Sequence, residues 1–223
     1  MESLNIKKEW VYNINNQIKA INIENSWKII LIDSLFEENS QKYIKVDWDS
    51  FVDYKLAVNW KSNFDIQFDI DHDWQVKTEL MTLSKNNHKI NWNLSFNVLS
   101  SKVSCQTNSI SLCENNWDIN LNISVHMAFG AYDSIWSIQQ KNIFLADKWK
   151  INITPKLYVA CNDVKANHWV SISKFDEFKS FYLMSKWLSY KTYKELLINW
   201  YIQTIFWDIE DKNFQNKLLE YIL

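Results

Sequence analysis

The residues of this 223-residue chain whose chemistry extends beyond packing are three cysteines, four histidines and one close set of aspartates. Cys105, Cys113 and Cys161 are odd in number and contain no CxxC pair, which speaks for a reducing compartment and against a disulfide framework. A thiolate is a ligand for soft metals, whereas a lone cysteine in an apolar setting is more often a small core residue. Cys161 is the sharper chemical candidate; Cys105 and Cys113 flank apparent strands and read as structural. Among the histidines, His72, His88 and His126 have no ligand-like spacing. His168 could ligate a metal if it is neutral and oriented by a second hydrogen bond; the bland alternative is a histidine satisfied by backbone in a turn. Asp69, Asp71 and Asp73 ahead of Trp74 would form half of a calcium loop if position 74 were glycine. Leu80 stands where the bidentate glutamate belongs, so alternating aspartates on the solvent face of a strand explain the run more simply. No GxSxG, Walker A or HExxH pattern occurs, so the chain carries no enzyme signature.

The bulk composition narrows the partners. A formal net charge of -2, with lysines and acids mixed along the chain, gives no phosphate-tracking surface and excludes nucleic acid as the expected partner. No stretch approaches the roughly 18 uninterrupted apolar residues that a membrane span needs. The first residues, MESLNIKKEWVYN, lack an apolar signal core, so a cytoplasmic protein is expected.

The elements that must position these residues are mostly strands. From about Trp27 to Tyr158, apolar and polar residues alternate in KIILIDSLF, KYIKVD, YKLAV, FDIQFDID, NLSFNVLS and DINLNISV. Many short strands without helices suggest a sandwich, a barrel or a β-solenoid, and periodicity alone does not separate these. From Ser173 the period changes. Ser173 followed by Asp176 predicts a capping box opening a helix, with Phe175, Phe178 and Tyr182 on one face. Ser189 is a second N-cap candidate, followed by Tyr193, Leu196, Leu197, Trp200, Ile205 and Phe206 at helical spacing. A third helix is expected over about Asn213 to Tyr221. The organisation is thus an N-terminal arm or short helix over 1–24, a β core over 25–172 and a helical subdomain over 173–223.

One compositional feature is foreign to a folded domain of this size. The chain has a single Gly and a single Pro, no Arg, and 13 Trp, whereas roughly 7% glycine is usual because turns and helix ends need positive φ. The tryptophans follow turn-type residues in Asp47-Trp48, Asn59-Trp60, Asp73-Trp74, Asn91-Trp92, Asn116-Trp117 and Asn199-Trp200, and the first five pairs read as separators between strands. Asn-Gly and Asp-Gly are the usual turn signals at such places. Lys186-Trp187 occupies the position just past a helix where glycine is favoured. Some bacteria read UGA as glycine where others read tryptophan, and the placement fits such recoding. The alternative is a genuinely tryptophan-rich surface that binds carbohydrate.

The stretch Ser134–Phe206 carries a family resemblance. The segments Gln139–Leu145, Pro155–Val159, Asn162–Ser173, Asp176–Ser189 and Tyr193–Tyr201 resemble, in order and spacing, the C-terminal signature of SufB and SufD proteins. Trp169, Trp187 and Trp200 fall on family glycines, and Lys141 and Lys186 on family arginines. The match covers about a third of the chain. The resemblance implies a mainly β fold, a right-handed parallel β-helix (β-solenoid) with a small C-terminal helical subdomain.

It also implies a non-catalytic scaffold in iron–sulfur cluster assembly. Such a scaffold pairs through its β-helix with a SufB/SufD-like subunit, as homodimer or heterodimer, and docks a SufC-like ABC ATPase on helices bearing Phe181, Tyr182, Leu183, Leu196 and Leu197. The cluster would be transient, assembled at the subunit interface, with His168 and Cys161 as candidates for holding it. His168 aligns with the family histidine after DVKCS, and His168-Trp169, read as His-Gly, is closer to SufD. The SufD cysteine two residues before that histidine is Ala166 here, a departure that weakens direct ligation.

Overall fold

A computed structural model describes residues 2–6, 10–14, 17–24, 28–35, 39–47, 51–58, 63–71, 75–84, 89–114, 118–145, 150–174, 181–182, 184–206, 209 and 216. The strands are β1 (Glu2–Ile6), β2 (Trp10–Ile14), β3 (Ile18–Glu24), β4 (Lys28–Leu35), β5 (Ser40–Asp47), β6 (Phe51–Val58) and β7 (Phe64–Asp71). They continue as β8 (Gln75–Ser84), β9 (Lys89–Val98), β10 (Ser104–Cys113), β11 (Asp118–Met127), β12 (Ser134–Phe144), β13 (Lys150–Val159) and β14 (Val164–Lys174), followed by helix α1 (Tyr190–Phe206).

Odd-numbered strands form one seven-stranded sheet in the order β1-β3-β5-β7-β9-β11-β13; even-numbered strands form the other, β14-β12-β10-β8-β6-β4-β2. We call these the odd and the even sheet. Every neighbouring pair is parallel, and the chain alternates between sheets at each turn. A chain that returns to the same sheet two strands later in the same direction is coiling, so the fold is a parallel β-solenoid. Sandwich and antiparallel barrel are excluded by the strand directions. Residues 2–24, read from sequence as an arm or short helix, instead supply β1–β3, because their short apolar runs find parallel partners in β4 and β5.

The core follows from the period of two. On the odd sheet, inward positions stack in register as Leu4, Ile21, Ile44, Phe68, Phe96, Val125 and Leu157, one residue per rung. Phe68 stacks on Phe96 at 4.9 Å between ring centroids, and Phe64 on Trp92 at 6.2 Å. Trp92 thus lies inside β9 and is fully buried, so Asn91-Trp92 is a strand element and not a separator. Of the other five pairs, Trp48, Trp60, Trp74 and Trp117 lie outside the described residues and Asn199-Trp200 is in α1. The one glycine, Gly130, sits in the stacked bend before β12, where a Cβ would lie 3.4 Å from the Leu99 carbonyl oxygen.

A second apolar cluster lies on the outside of the even sheet. Ile30, Ile32, Ala57, Met81, Leu83, Leu112 and Ile143 meet Tyr193, Ile198, Tyr201, Ile202, Ile205 and Phe206 of α1. Ser189 caps this helix as its sequence suggests, its Oγ accepting from the Thr192 N–H at 3.1 Å. Of the expected apolar positions, Tyr193, Ile205 and Phe206 are buried and Leu197 packs against the cluster, whereas Leu196 and Trp200 are exposed and Ile198, Tyr201 and Ile202 complete the buried face. Ser173, expected to open a helix, is the penultimate residue of β14 instead. Residues 175–180 and most of 207–223 lie outside the described residues, including nearly all of the third expected helix.

The helix is also held by charge. Lys55, fully buried on β6, donates to the Ile205 carbonyl oxygen at 2.8 Å and pairs with Glu79 and with Asp53 at 3.3 Å. A cation under the last turn of a helix meets the partial negative charge of its unsatisfied carbonyls. Removing the stacked ring at Phe96 tests the inner ladder. Phe96→Ala is expected to cost about 3–5 kcal/mol in denaturant unfolding; a loss below about 1 kcal/mol would mean that the ladder does not hold the rungs together.

Candidate functional site

The two sheets end together at β13 and β14, and among the described residues no further strand pairs with either. One step inside, β12 alternates between buried and more exposed positions up to Lys141 and is buried on both faces from Asn142 to Phe144. In β13 and β14 no described residue is fully buried, although both strands keep one complete ladder. An uncovered edge of two parallel strands presents free backbone donors and acceptors as well as half-covered side chains. Pro155 on β13 removes one such donor without disturbing its pairing with Ile123.

His168 lies on this edge. It pairs with Ile138, an inward residue of β12, so it occupies an inward position of β14, and it is exposed, with no described strand stacked beyond β14. Ala166, the inward residue before it, pairs with Trp136 and places no thiol beside the imidazole. Cys161 sits in the bend that delivers the chain from β13 to β14, buried against the solenoid core as a free thiol. From Val164 to His168 the strand advances four residues, about 13 Å. The two sequence candidates thus belong to one end of the solenoid, Cys161 in the bend before β14 and His168 part-way along that strand. Among the described residues, no group of three or more His, Cys, Asp or Glu is placed to hold a metal.

Around the same end lie groups that the sequence does not flag. His126 and Tyr158 are register partners and stack at 4.4 Å, beside Asn97 and Leu99 in a shallow outer-face pocket. Only the rung register brings these residues together, since they are spread over three strands. Exposed apolar side chains cluster toward the end of the chain: Tyr158, Val159, Trp169 and Ile172 on the last rung, then Phe181, Tyr182, Met184, Trp187, Leu196 and Trp200. Leu183 lies outside the described residues. Among the described indoles, Trp92 and Trp136 are buried inside the solenoid, where no sugar could stack.

The aspartate run resolves as a solvent-face network. Asp69 accepts from Tyr43 at 2.5 Å, Asn97 at 2.6 Å and Gln67 at 3.0 Å, on three adjacent strands of the odd sheet. With Asp73 outside the described residues, nothing here assembles a calcium loop.

A family model described as "SUF system FeS cluster assembly, SufBD core domain" matches residues 75–200, more than half of the chain. The chain belongs to the SufBD core family. Its matched region runs from β8 into α1 and so includes the uncovered rung, Cys161, His168 and the first part of the docked helix. A search of curated proteins finds no match. Family membership places the protein in the SUF system of iron–sulfur cluster assembly, among its assembly components. Among the described residues, no helix is long and apolar enough to cross a membrane.

The Asp69 network carries a pH signature. Partial burial pushes the Asp69 carboxyl up, but hydrogen bonds from Tyr43, Gln67 and Asn97 outweigh this and hold it below its ordinary 3.8. A depressed carboxyl stabilises the fold above that ordinary value and loses its contribution as the pH falls through the lower folded one. Tyr43→Phe removes one of those bonds, so the fall in stability below about pH 4 should be shallower than in the parent. An unchanged acid slope in chemical unfolding series would contradict this.

Proposed function

We propose that the protein is the SufD-like scaffold of a SUF complex, pairing through its last rung and docking a SufC-like ATPase on its C-terminal helical segment. The observation that carries this is the uncovered β13–β14 edge within the family-matched region, with His168 at an inward position on it. A second solenoid of the same kind, whether another copy or a SufB-like chain, offers strands of matching spacing to such an edge. Pairing would enclose His168, and an enclosed neutral imidazole is a fitting ligand for a nascent cluster at the interface. Cys161 lies nearby but buried, so it would reach cargo only with movement of the bend. The SufD assignment rests on His168-Trp169 read as His-Gly.

The helical segment suits a second partner. Phe181, Tyr182 and Leu196 are exposed while the opposite face of α1 is committed to the even sheet. The sequence has no phosphate-binding loop, so ATP hydrolysis falls to the partner. Three cysteines, none of them in a disulfide, fit a cytoplasmic setting.

The same proposal includes glycine at position 187 in the source organism, through UGA recoding. Trp187 has φ 68° and is 98% exposed, just after a helical turn closed by its N–H to the Met184 carbonyl oxygen at 3.1 Å. Left-handed backbone costs a residue with a Cβ roughly 1–2 kcal/mol, and a side chain that touches nothing gives no packing in return. Trp92 and Trp136, by contrast, fill the core.

Two measurements test these readings. Affinity purification of the tagged chain from its host should retain an ABC-type ATPase and a SufB/SufD-like subunit. A Phe181→Asp/Leu196→Asp variant should lose the ATPase and keep the other subunit; equal retention of the ATPase would refute the docking surface. Mass spectrometry of the native peptide from Trp187 to Lys191 should give the glycine-bearing mass, and a tryptophan-bearing mass would end the recoding proposal for this position.

A further inference from the structure

The inner faces of the two sheets differ in character over the last rungs. The odd sheet presents only apolar side chains there, among them Leu94, Phe96, Ile123 and Val125. The even sheet changes from rung to rung. At one inward row Leu56 and Leu80 are followed by Ser109 and Gln140; at the next, Val58 is followed by Thr82, Ser111 and Asn142. Thr107 occupies the adjoining inward row. That these side chains point inward follows from their neighbours on β8, β10 and β12, since Met81, Leu83, Leu112 and Ile143 face α1 on the opposite side.

All six polar side chains are at most 1% exposed. The hydroxyls of Thr82, Thr107, Ser109 and Ser111, both amide atoms of Gln140 and the Asn142 amide oxygen have no hydrogen-bond partner within the protein. Only the Asn142 Nδ2 is committed, donating to the Ser171 carbonyl oxygen at 3.1 Å. The ladder occupies the strand amides and carbonyls, and opposite these rows the facing sheet presents apolar residues such as Leu94, Phe96, Ile123 and Val125. Kept dry, these groups would together cost free energy comparable with the whole net stability of a domain.

We propose that a file of ordered water molecules fills the lumen along the inner face of β8, β10 and β12. The strand spacing suits it. In-register side chains on neighbouring strands are about 4.8 Å apart, and a water at about 2.8 Å from each of two such oxygens subtends a near-tetrahedral angle. Serine where the earlier rungs carry leucine leaves the volume such molecules need. Buried waters commonly make about three hydrogen bonds each, which a row of hydroxyls and carboxamides can provide. The file reaches the uncovered edge, because Gln140 and Asn142 are the register partners of Val170 and Ile172, and His168 is the inward neighbour of Val170 on β14. When a partner covers this edge (a consequence that rests on the proposed pairing), the water file gives the enclosed imidazole a route for proton exchange that bulk solvent no longer supplies. The hydration itself needs no partner.

The sign of a stability change decides between a wet and a dry lumen. Thr82→Val and Thr107→Val keep shape and remove one hydroxyl each. If water binds there, each variant lowers the unfolding midpoint, because the water loses a partner. If the lumen is dry, each raises it, because an unpaired buried hydroxyl is gone. Water magnetic relaxation dispersion on the purified chain gives the direct reading. Long-lived internal waters should be present, and their number should fall in Thr107→Val and in Gln140→Leu. Higher midpoints in both valine variants, or a relaxation profile without long-lived water, would overturn the proposal.

Discussion

The structure depends on one constraint: each strand must lie parallel and in register on the strand two before it. A one-residue slip would turn every inward side chain outward, so the stack of Ile21, Ile44, Phe68, Phe96 and Val125 fixes the register of the odd sheet. The bends follow the same register. Lys102 donates its N–H to the Tyr132 carbonyl oxygen at 2.7 Å, and Asp133 does so to that of Asp163, also at 2.7 Å; Lys102 and Asp133 both hold positive φ. Residues far apart in sequence thereby meet at fixed places, as with Asp69, Asn97 and Tyr43. The constraint also creates an end. A stack built one rung at a time finishes with a rung that has a neighbour on one side only, and in this chain the uncovered rung is the one that carries His168.

Helix α1 converts the outside of that stack into a second binding element. It covers the apolar stripe on the even sheet, and its last turn is fixed by a buried lysine in contact with two carboxylates. Such an arrangement is costly to break, since Lys55 is buried with Asp53 and Glu79 and its loss would remove a cation held against both carboxylates. Glu114 on the bend after β10 meets Lys194 of the helix in a further ion pair, and Tyr190 donates to the Leu145 carbonyl oxygen at 3.0 Å. The exposed face of α1 is thus held rigidly relative to the strands that end at the His168 edge. Rigid placement of two surfaces on one body is what a scaffold requires.

Much of this was legible in the sequence, and the misses have physical causes. Alternation in FDIQFDID and NLSFNVLS announces strands because one face is buried. The coil itself was visible only through the family motifs, because a period of two says nothing about which strand lies next to which. The first 24 residues were misread because strands of five residues, such as β1 and β2, are too short to show a pattern. Ser173 misled because a capping pattern is local, whereas the ladder with β12 runs on to Lys174. The buried face of α1 takes in Ile198, Tyr201 and Ile202 and leaves out Leu196 and Trp200 because the sequence has apolar residues nearly all round that helix, and only the even sheet selects among them. Trp92 misled for a related reason: Asn-Trp resembles a separator until the register places it opposite Phe64. At the site, His168 and Cys161 were findable by motif, while the stacked pair His126 and Tyr158 and the polar inner rows were not, since both exist only across rungs.

The account stands on the last rung being an interface. Amide hydrogen exchange, read residue by residue on the chain alone and on the chain bound to its SufB/SufD-like subunit, addresses this most directly. The account predicts slower exchange on binding for the β13 and β14 amides that lack a ladder partner, with β1 and β2 at the far end unchanged. Protection that appears at β1 and β2 while β13 and β14 exchange as before would contradict it.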